Sequence, residues 1–390
     1  MKILFYSPHS QLYFEASTGY GSHMRGMVEA FQEMGHEVEV LVMGEKPKSR
    51  LSEKHVPVQK KKFKQFVPKI IWRSLKELKW MQFDSFAQKK LMQKIQSFQP
   101  DLIYERSAWM SNGSVRIIKK YGIHHVVEIN APFEEETKAF EGSGSLIHFI
   151  GKYKFKNLLK SCTAIASINS ELTRVLSSRY GIEQKKFIFT PNAISKNEIQ
   201  MALHSKHPEP FAHLKDKKVF GFVGSILPYH GVDLCIRAFA KIKMKNVHLL
   251  IVGDGYLIPE YEKICKELEI SNQVTFTGSI PKKEIWNYLS VMDVLLLPST
   301  AWYCSPVKLF EYALMEKPII AINKPGVLDI FSEKSCALFS GSEDELLKRF
   351  QEFINQPEMY KCFGTLSKEI VLERHQWTNN ARAILNYFES

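Results

Sequence analysis

Short apolar runs recur along the chain, and between them apolar residues return every three or four positions. Lys2-Ile3-Leu4-Phe5-Tyr6, Val38 to Val42, Asp101-Leu102-Ile103-Tyr104, His125-Val126-Val127-Glu128-Ile129, Ala164 to Ile168 and Phe187-Ile188-Phe189 read as strands. Most are continuous rather than alternating, the pattern of strands covered on both faces, as in a parallel sheet. After the first run, Met24, Met27, Val28 and Phe31 mark a helix that Gly35 closes. A second series follows: a strand from Val219 to Val223, a helix from Val232 to Ile242, and strands at Val247–Val252, 274–276, 293–297 and 319–321. Polar residues and prolines from Ser195 to Asp216 read as a surface connection between the series. Two runs of alternating strands and helices predict two doubly wound α/β domains with a cleft between them.

One stretch carries the chemistry, Pro298 to Pro318. It follows the buried-strand run Val294 to Leu297, and its pattern predicts Ser305 as a helix N-cap with Pro306 as the first helical residue. A strand, a loop and a helix start leave backbone N–H groups and the positive end of the helix dipole facing the loop. Lys308 adds a charge to that anion site, and Glu311, about one turn on, can accept two hydroxyl hydrogen bonds. Anion site beside diol acceptor suits a sugar nucleotide. An ordinary βα turn with a surface lysine and glutamate would give the same pattern. Gly19-Tyr20-Gly21 gives the first helix a glycine-rich entry, but the third glycine of a dinucleotide fingerprint is missing. Tight turning accounts for Gly21 about as well as ligand approach.

At 390 residues the chain suits two domains, and its net charge of +12 implies an anionic partner. Six cysteines lie far apart without paired spacing, so neither a disulfide framework nor a zinc site is expected. With no secretory pattern at the start and no apolar segment long enough to cross a bilayer, the expected location is the cytoplasm. Residues 59–80 differ in kind. Lys60, Lys61, Lys62, Lys64, Lys69, Arg73, Lys76 and Lys79 face one acid, Glu77, and Trp72, Trp80 and several aliphatics interleave with them. A basic amphipathic stretch with tryptophan reads as an element for an anionic membrane surface, although a helix packed on its own domain with lysines in solvent has the same composition. No nucleic-acid motif accompanies it, and nucleic acid is not expected as a partner.

Taken together, these residues resemble the retaining GT-B glycosyltransferases of family 4, the glycosyl transferases group 1. The resemblance lies in Phe222-Val223-Gly224 through Gly231-Val232-Asp233, Val252-Gly253-Asp254-Gly255, Phe276-Thr277-Gly278, Asp293 to Ser299, Ser305-Pro306 to Glu311, and Pro318 to Ala321. In the first half Gly35-His36-Glu37-Val38 and Pro191-Asn192-Ala193 match, and Trp377 begins a last helix. The resemblance implies two Rossmann-like domains facing each other across a cleft. Residues 1–194, completed by 376–390, would bind the acceptor, and 195–375 the nucleotide sugar. It implies that Glu311 holds the donor ribose. The loop Tyr303, Cys304, Ser305, Pro306 and Val307 would hold diphosphate and sugar hydroxyls, and Gly278-Ser279-Ile280 would lie against the base. Gly224 and Gly253 fall on donor-side loops, and Gly21 on the matching loop of the first half. Three positions depart from the family. Tyr303 stands where a glutamate often contacts the donor sugar. Ser225 and His230 stand where Arg and Lys often bind diphosphate. Asn130 is nearest to a usual histidine, with Glu128 two residues earlier on the same strand face.

The expected function is transfer of a sugar from a UDP or GDP sugar to an acceptor hydroxyl with retention. The acceptor is expected to be a cell-envelope glycan or a lipid-linked molecule, met at the inner membrane face. Lys308 would stabilise the leaving diphosphate, Glu128 and Asn130 would orient or deprotonate the acceptor, and neither a metal nor a further cofactor is required. Two alternatives share the fold: a non-catalytic sugar-nucleotide-binding protein, and a sugar-nucleotide epimerase or hydrolase.

Overall fold

The computed structural model describes residues 1–16, 18–45, 68–136, 145–206 and 208–389. The chain divides into two compact units. Unit 1 is Met1–Ile168, Leu172–Thr190 and Asn380–Ser390, and unit 2 is Asn169–Glu171 and Pro191–Asn379.

Unit 1 is built on six parallel strands: β1 (Lys2–Ser7), β2 (Glu37–Val42), β3 (Leu102–Arg106), β4 (His124–Ile129), β5 (Ala164–Ser167) and β6 (Phe187–Phe189), in the order 2-1-3-4-5-6. Helices α1 (Gly19–Glu33), α2 (Lys69–Phe98), α3 (Ser114–Tyr121), α4 (His148–Ser161) and α5 (Ser170–Tyr180) connect them. β1 pairs with both β2 and β3, so the chain leaves the two central strands in opposite directions. Such a switch point is where loops part and ligands enter an open parallel sheet. Ile3, Leu4 and Phe5 are fully buried, as their continuous apolar run predicts.

Helix α2 is 30 residues long and begins after Pro68. The helix continues beyond the basic stretch 59–80, through Leu91 and Ile95, which fill the core. Residues 59–67 of the basic stretch, with Lys60, Lys61, Lys62 and Lys64, lie outside the described residues. Arg73 differs from the expected solvated cation: it is buried and paired with Glu77 at 3.2 Å.

Unit 2 repeats the design. Strands β7 (Lys218–Val223), β8 (Val247–Val252), β9 (Val274–Phe276), β10 (Val294–Leu297), β11 (Ile319–Ile322) and β12 (Ala337–Phe339) are arranged 12-11-10-7-8-9. Its helices are α6 (Lys196–Leu203), α7 (Val232–Ala240), α8 (Ile258–Glu267), α9 (Ile285–Val291), α10 (Val307–Leu314), α11 (Pro325–Leu328), α12 (Glu343–Asn355) and α13 (Pro357–Arg374). A last helix, α14 (Trp377–Glu389), starts in unit 2, and its residues from Asn380 belong with unit 1. The switch point here lies between β7 and β10. The expected surface connection after Ser195 is instead helical. Ser195 and Glu198 form a capping box, in which the Ser195 Oγ accepts from the Glu198 N–H and the Glu198 carboxylate from the Ser195 N–H.

Candidate donor site

Two neighbouring strands of unit 2, β7 at the switch point and β8 beside it, end in loops the sequence singles out. β7 runs into Gly224, with φ 147°, and β8 into Gly253, with φ 135°. A Cβ on Gly253 would stand 2.0 Å from the Gly224 carbonyl oxygen, and one on Gly224 would stand 2.6 Å from the Lys308 Nζ. Both glycines therefore serve close approach: backbone against backbone, and backbone against the ammonium. Gly278, with φ 70°, has open space where a Cβ would be, and Ile280 packs on the core beyond it.

β10 leads through Tyr303 and Cys304 to α10. The helix starts one residue later than the sequence predicts, with Pro306 as N-cap, Val307 first in the helix and no side-chain cap. Ser305 is buried and otherwise engaged. Its Oγ accepts from the Asn192 N–H at 2.9 Å, and its carbonyl accepts from the Asn192 side-chain amide at 2.5 Å. Asn169 donates to the carbonyls of Trp302 and Cys304, at 3.2 and 3.4 Å. The loop is thus pinned by two asparagines; the Leu309 N–H turns back to the Pro306 carbonyl at 3.0 Å, and the N–H groups of Val307 and Lys308 precede any intrahelical acceptor.

Lys308, in the first turn of α10, supplies the charge. Its Nζ is out of solvent, finds no hydrogen-bond partner among the described residues and lies 4.3 Å from the centroid of the Phe222 ring. Burial pulls its pKa down to about 8 against the pull of Glu311. Glu311 is buried, and its Oε1 lies 3.8 Å from the Lys282 Nζ, which also reaches Glu198 at 3.2 Å. Burial raises its carboxyl pKa, Glu198 adding to the effect while Lys282 and Lys308 oppose it. Neither Phe222 nor Lys282 was singled out as a site residue. Lys282 follows Gly278 by four positions, but only the folded chain brings it to Glu311.

His230, which stands where the resemblance places a diphosphate-binding cation, is turned to the backbone. Its Nδ1 lies 2.5 Å from the Ser225 carbonyl. Burial first, and then the nearby Lys308, lower its pKa to about 4. A neutral ring that donates from Nδ1 keeps Nε2 as an acceptor, which repels a phosphate oxygen. Ser225 contributes its carbonyl to that contact.

In unit 1 Glu128, expected to orient or deprotonate the acceptor, is enclosed by its neighbours. Glu128 is fully buried and takes hydrogen bonds or ion pairs from His23 at 2.9 Å, the Tyr104 hydroxyl at 2.6 Å and Arg106 at 2.5 Å, with the Asn130 amide as a further donor. Despite burial, His23 and Arg106 hold its pKa well below the usual carboxylate value. A carboxylate so enclosed is a poor proton acceptor, and Asn130 is engaged in the same cluster. Gly21 also has a packing reason that involves no ligand, because a Cβ there would stand 2.1 Å from the Ala16 carbonyl oxygen.

A parallel α/β unit with a helix start, an unpartnered ammonium and a buried carboxylate at its switch point defines a nucleotide-binding class of protein. Family comparison narrows the class. The model for Glycosyl transferases group 1 matches residues 205–370, and that for Glycosyltransferase Family 4 matches residues 17–198. The chain belongs to this family of glycosyltransferases. It is 24% identical over 211 residues to the 2-deoxystreptamine glucosyltransferase of Streptomyces kanamyceticus, covering 51% of this chain and 53% of that protein. With the alpha-monoglucosyldiacylglycerol synthase of Streptococcus pneumoniae it shares 21% identity over 367 residues, covering 92% and 80%. The chain spans about half the length of the first of these relatives. A crystal structure of Anabaena HepE in complex with UDP superposes with a TM-score of 0.70 at 15% identity, covering 100% of both chains. That likeness shows the GT-B fold.

Proposed function

We propose that this protein transfers a sugar from a nucleoside diphosphate sugar to an acceptor hydroxyl, with retention at the anomeric carbon. The observation that carries the reading is the Lys308 ammonium, desolvated and without a hydrogen-bond partner among the described residues, in the first turn of the helix that also bears Glu311. A diphosphate supplies the missing counter-charge, and a ribose diol suits the buried carboxylate three residues on. As the bond to the anomeric carbon breaks, negative charge grows on the leaving phosphate. The helix start and Lys308 are already oriented toward it, in a site of low dielectric where such stabilisation is strongest. Retention by same-face attack uses the leaving phosphate to accept the acceptor proton, so the enclosed Glu128 is not required as a base. Leaving-group charge met in this way calls for no bound metal.

UDP is the nucleotide favoured by the UDP named with the HepE structure. A lipid-linked or cell-envelope acceptor is favoured by the name of the diacylglycerol-type relative and by the outer face of α2. Ile70, Ile71, Trp72, Leu75 and Leu78 are exposed there, and both acids of the helix, Glu77 and Asp84, are buried. The outer surface of α2 therefore carries cations and apolar groups without a single acid, which suits an anionic leaflet. Among the described residues no helix is long and apolar enough to cross a membrane, and the reading is of a peripheral protein at the cytoplasmic face.

The test is incubation with a panel of UDP and GDP sugars and a lipid extract as acceptor source. Nucleoside diphosphate release is followed, and the product's anomeric configuration is read by NMR. Release with a product of the donor's configuration is expected. Tight nucleotide binding without any release would favour the non-catalytic binding protein, a reading motivated by Tyr303 and the neutral His230.

A further inference from the structure

Unit 2 carries a recess at the end of its sheet opposite the donor loops. Its lining residues precede strands rather than follow them: Lys215 and Lys217 come before β7, Asp293 before β10 and Lys317 before β11. In a parallel sheet these strand starts share one edge. At about 3.3 Å per residue, the six residues of β7 set the recess roughly 20 Å from Gly224. The recess encloses a cavity of about 490 Å3, the size of a small-molecule site, and shares no residue with the donor site.

One wall is apolar and held in place. A short 3-10 turn, Glu209–Leu214, contributes Phe211 and Leu214, and the end of α9 contributes Val291. Leu214 and Val291 are buried, and the Phe211 ring stands edge-on to Tyr288 of α9, with centroids 5.4 Å apart. The turn is thereby packed on α9, and the wall is formed before any ligand arrives.

The other side is cationic. The Lys317 Nζ donates to the Ser290 carbonyl at 2.7 Å and to that of Met292, which ties the start of β11 to the end of α9. An ammonium has three N–H groups, and no third acceptor meets this one among the described residues. Burial lowers its pKa, with Asp293 opposing. Asp293 is the one acid among the described lining residues, and its Oδ2 accepts the Val219 N–H at 2.8 Å. Lys215 is exposed and Lys217 half-buried, and neither side chain meets a carboxylate among the described residues. Three cations thus face one carboxylate that the backbone already engages.

An apolar wall opposite a surplus of ammonium groups is complementary to a molecule anionic at one end and apolar at the other. A phosphate monoester, with about −1.5 to −2 charges near pH 7 and three acceptor oxygens, matches several lysines better than a carboxylate does. We propose that this recess is a second ligand site, separate from the nucleotide, for a phosphate monoester that carries an apolar chain or ring. The phosphate is held among Lys317, Lys217 and Lys215, and the apolar body lies against Phe211, Leu214 and Val291.

The test is calorimetric titration with octyl phosphate, phenyl phosphate, inorganic phosphate and octanol, each below its aggregation concentration. It is run on Lys308→Met protein, so that the donor loop is not the source of the signal. Saturable binding of octyl or phenyl phosphate is expected, at least about tenfold tighter than inorganic phosphate or octanol. Preference for octyl phosphate assigns the site to lipid phosphates, and preference for phenyl phosphate to aryl phosphates. Lys215→Gln combined with Lys217→Gln should weaken binding about tenfold or more, and neither change removes a contact within the fold. Ala212→Trp, which fills the recess from its exposed rim, should abolish binding with the melting temperature unchanged. In the wild type, saturating UDP should leave octyl phosphate affinity as it is. Absence of saturable binding by both esters, equal binding of inorganic phosphate or octanol, full affinity in both variants, or displacement by UDP overturns the proposal.

Discussion

Lys308→Met separates what the ammonium costs the fold from what it gives the ligand. Methionine keeps the approximate length of the side chain and removes its charge. In the native chain the lysine pKa falls from 10.5 to about 8, burial being the larger cause and Glu311 the opposing one. A fall of that size corresponds to ~3 kcal/mol of lost stability at neutral pH. The sign follows from proton binding. Between pH 8 and about 10.5 the unfolded lysine holds a proton that the folded one has given up, so stability rises with pH across that window. The variant lacks this dependence. It should be more stable than wild type at pH 7 by up to ~3 kcal/mol, and the gap should close toward pH 10.5. Ligand binding should move the other way. Losing one charged contact to phosphate costs about 1.5–3 kcal/mol, roughly ten- to hundredfold in the Kd for UDP or GDP. Wild-type affinity should also decline above pH 8, while that of the variant stays flat. Denaturant unfolding and calorimetric titration at pH 7 and pH 9.5 read both effects. A variant less stable than wild type at pH 7 that still binds nucleoside diphosphates at full strength would refute the reasoning.

Glu311→Gln should weaken the nucleoside and the nucleoside diphosphate alike, by roughly 1–3 kcal/mol, measured as Kd, because a ribose contact is common to both. Glu128→Gln should cost about 3–5 kcal/mol in urea unfolding and leave nucleotide affinity alone, since it strips the counter-charge from Arg106 and disturbs the hydrogen bond to His23 inside unit 1. The Glu128 carboxyl is held low, so its contribution is present above the ordinary carboxylate pKa and is lost as pH falls through the folded value. Transfer activity should survive EDTA; complete loss restored by magnesium or manganese would contradict the metal-free reading. Replacing Lys60, Lys61, Lys62 and Lys64 with Gln should reduce flotation with anionic vesicles at low salt without changing nucleotide binding.

The strands were legible because each is a continuous apolar run bounded by turn residues, and Val247–Val252 is buried at every position. Lys308 and Glu311 were legible because they lie close together in sequence on one short helix. What escaped the sequence was made by distance. Glu128 gains its partners from positions 22, 24 and 105 residues away, so no local pattern shows that it is enclosed. Glu77 counts against the basic stretch in the sequence but is buried, paired with Arg73 and bonded to Trp109. The outer face of α2 is more purely basic than composition suggests. Two local signals are nonetheless present in the sequence. The Ser195-x-x-Glu198 spacing announces the start of α6 in a segment otherwise read as connection. The Ser305-Pro306 pair marks the start of α10 to within one residue, but Asn192, distant in sequence, engages the serine, and Pro306 takes the N-cap place.

The central claim is that unit 2 binds a nucleoside diphosphate through Lys308 and Glu311. A thermal-shift panel of UDP, GDP, ADP, their nucleosides and their sugars tests it most directly. A ligand at 100 times its Kd adds about 2.7 kcal/mol of stability, well within detection. UDP or GDP and the matching sugar nucleotide should raise the melting temperature strongly, the bare nucleoside less, and the shift should shrink in both Lys308→Met and Glu311→Gln. No shift from any nucleoside diphosphate, or an equal shift in both variants, would contradict the account.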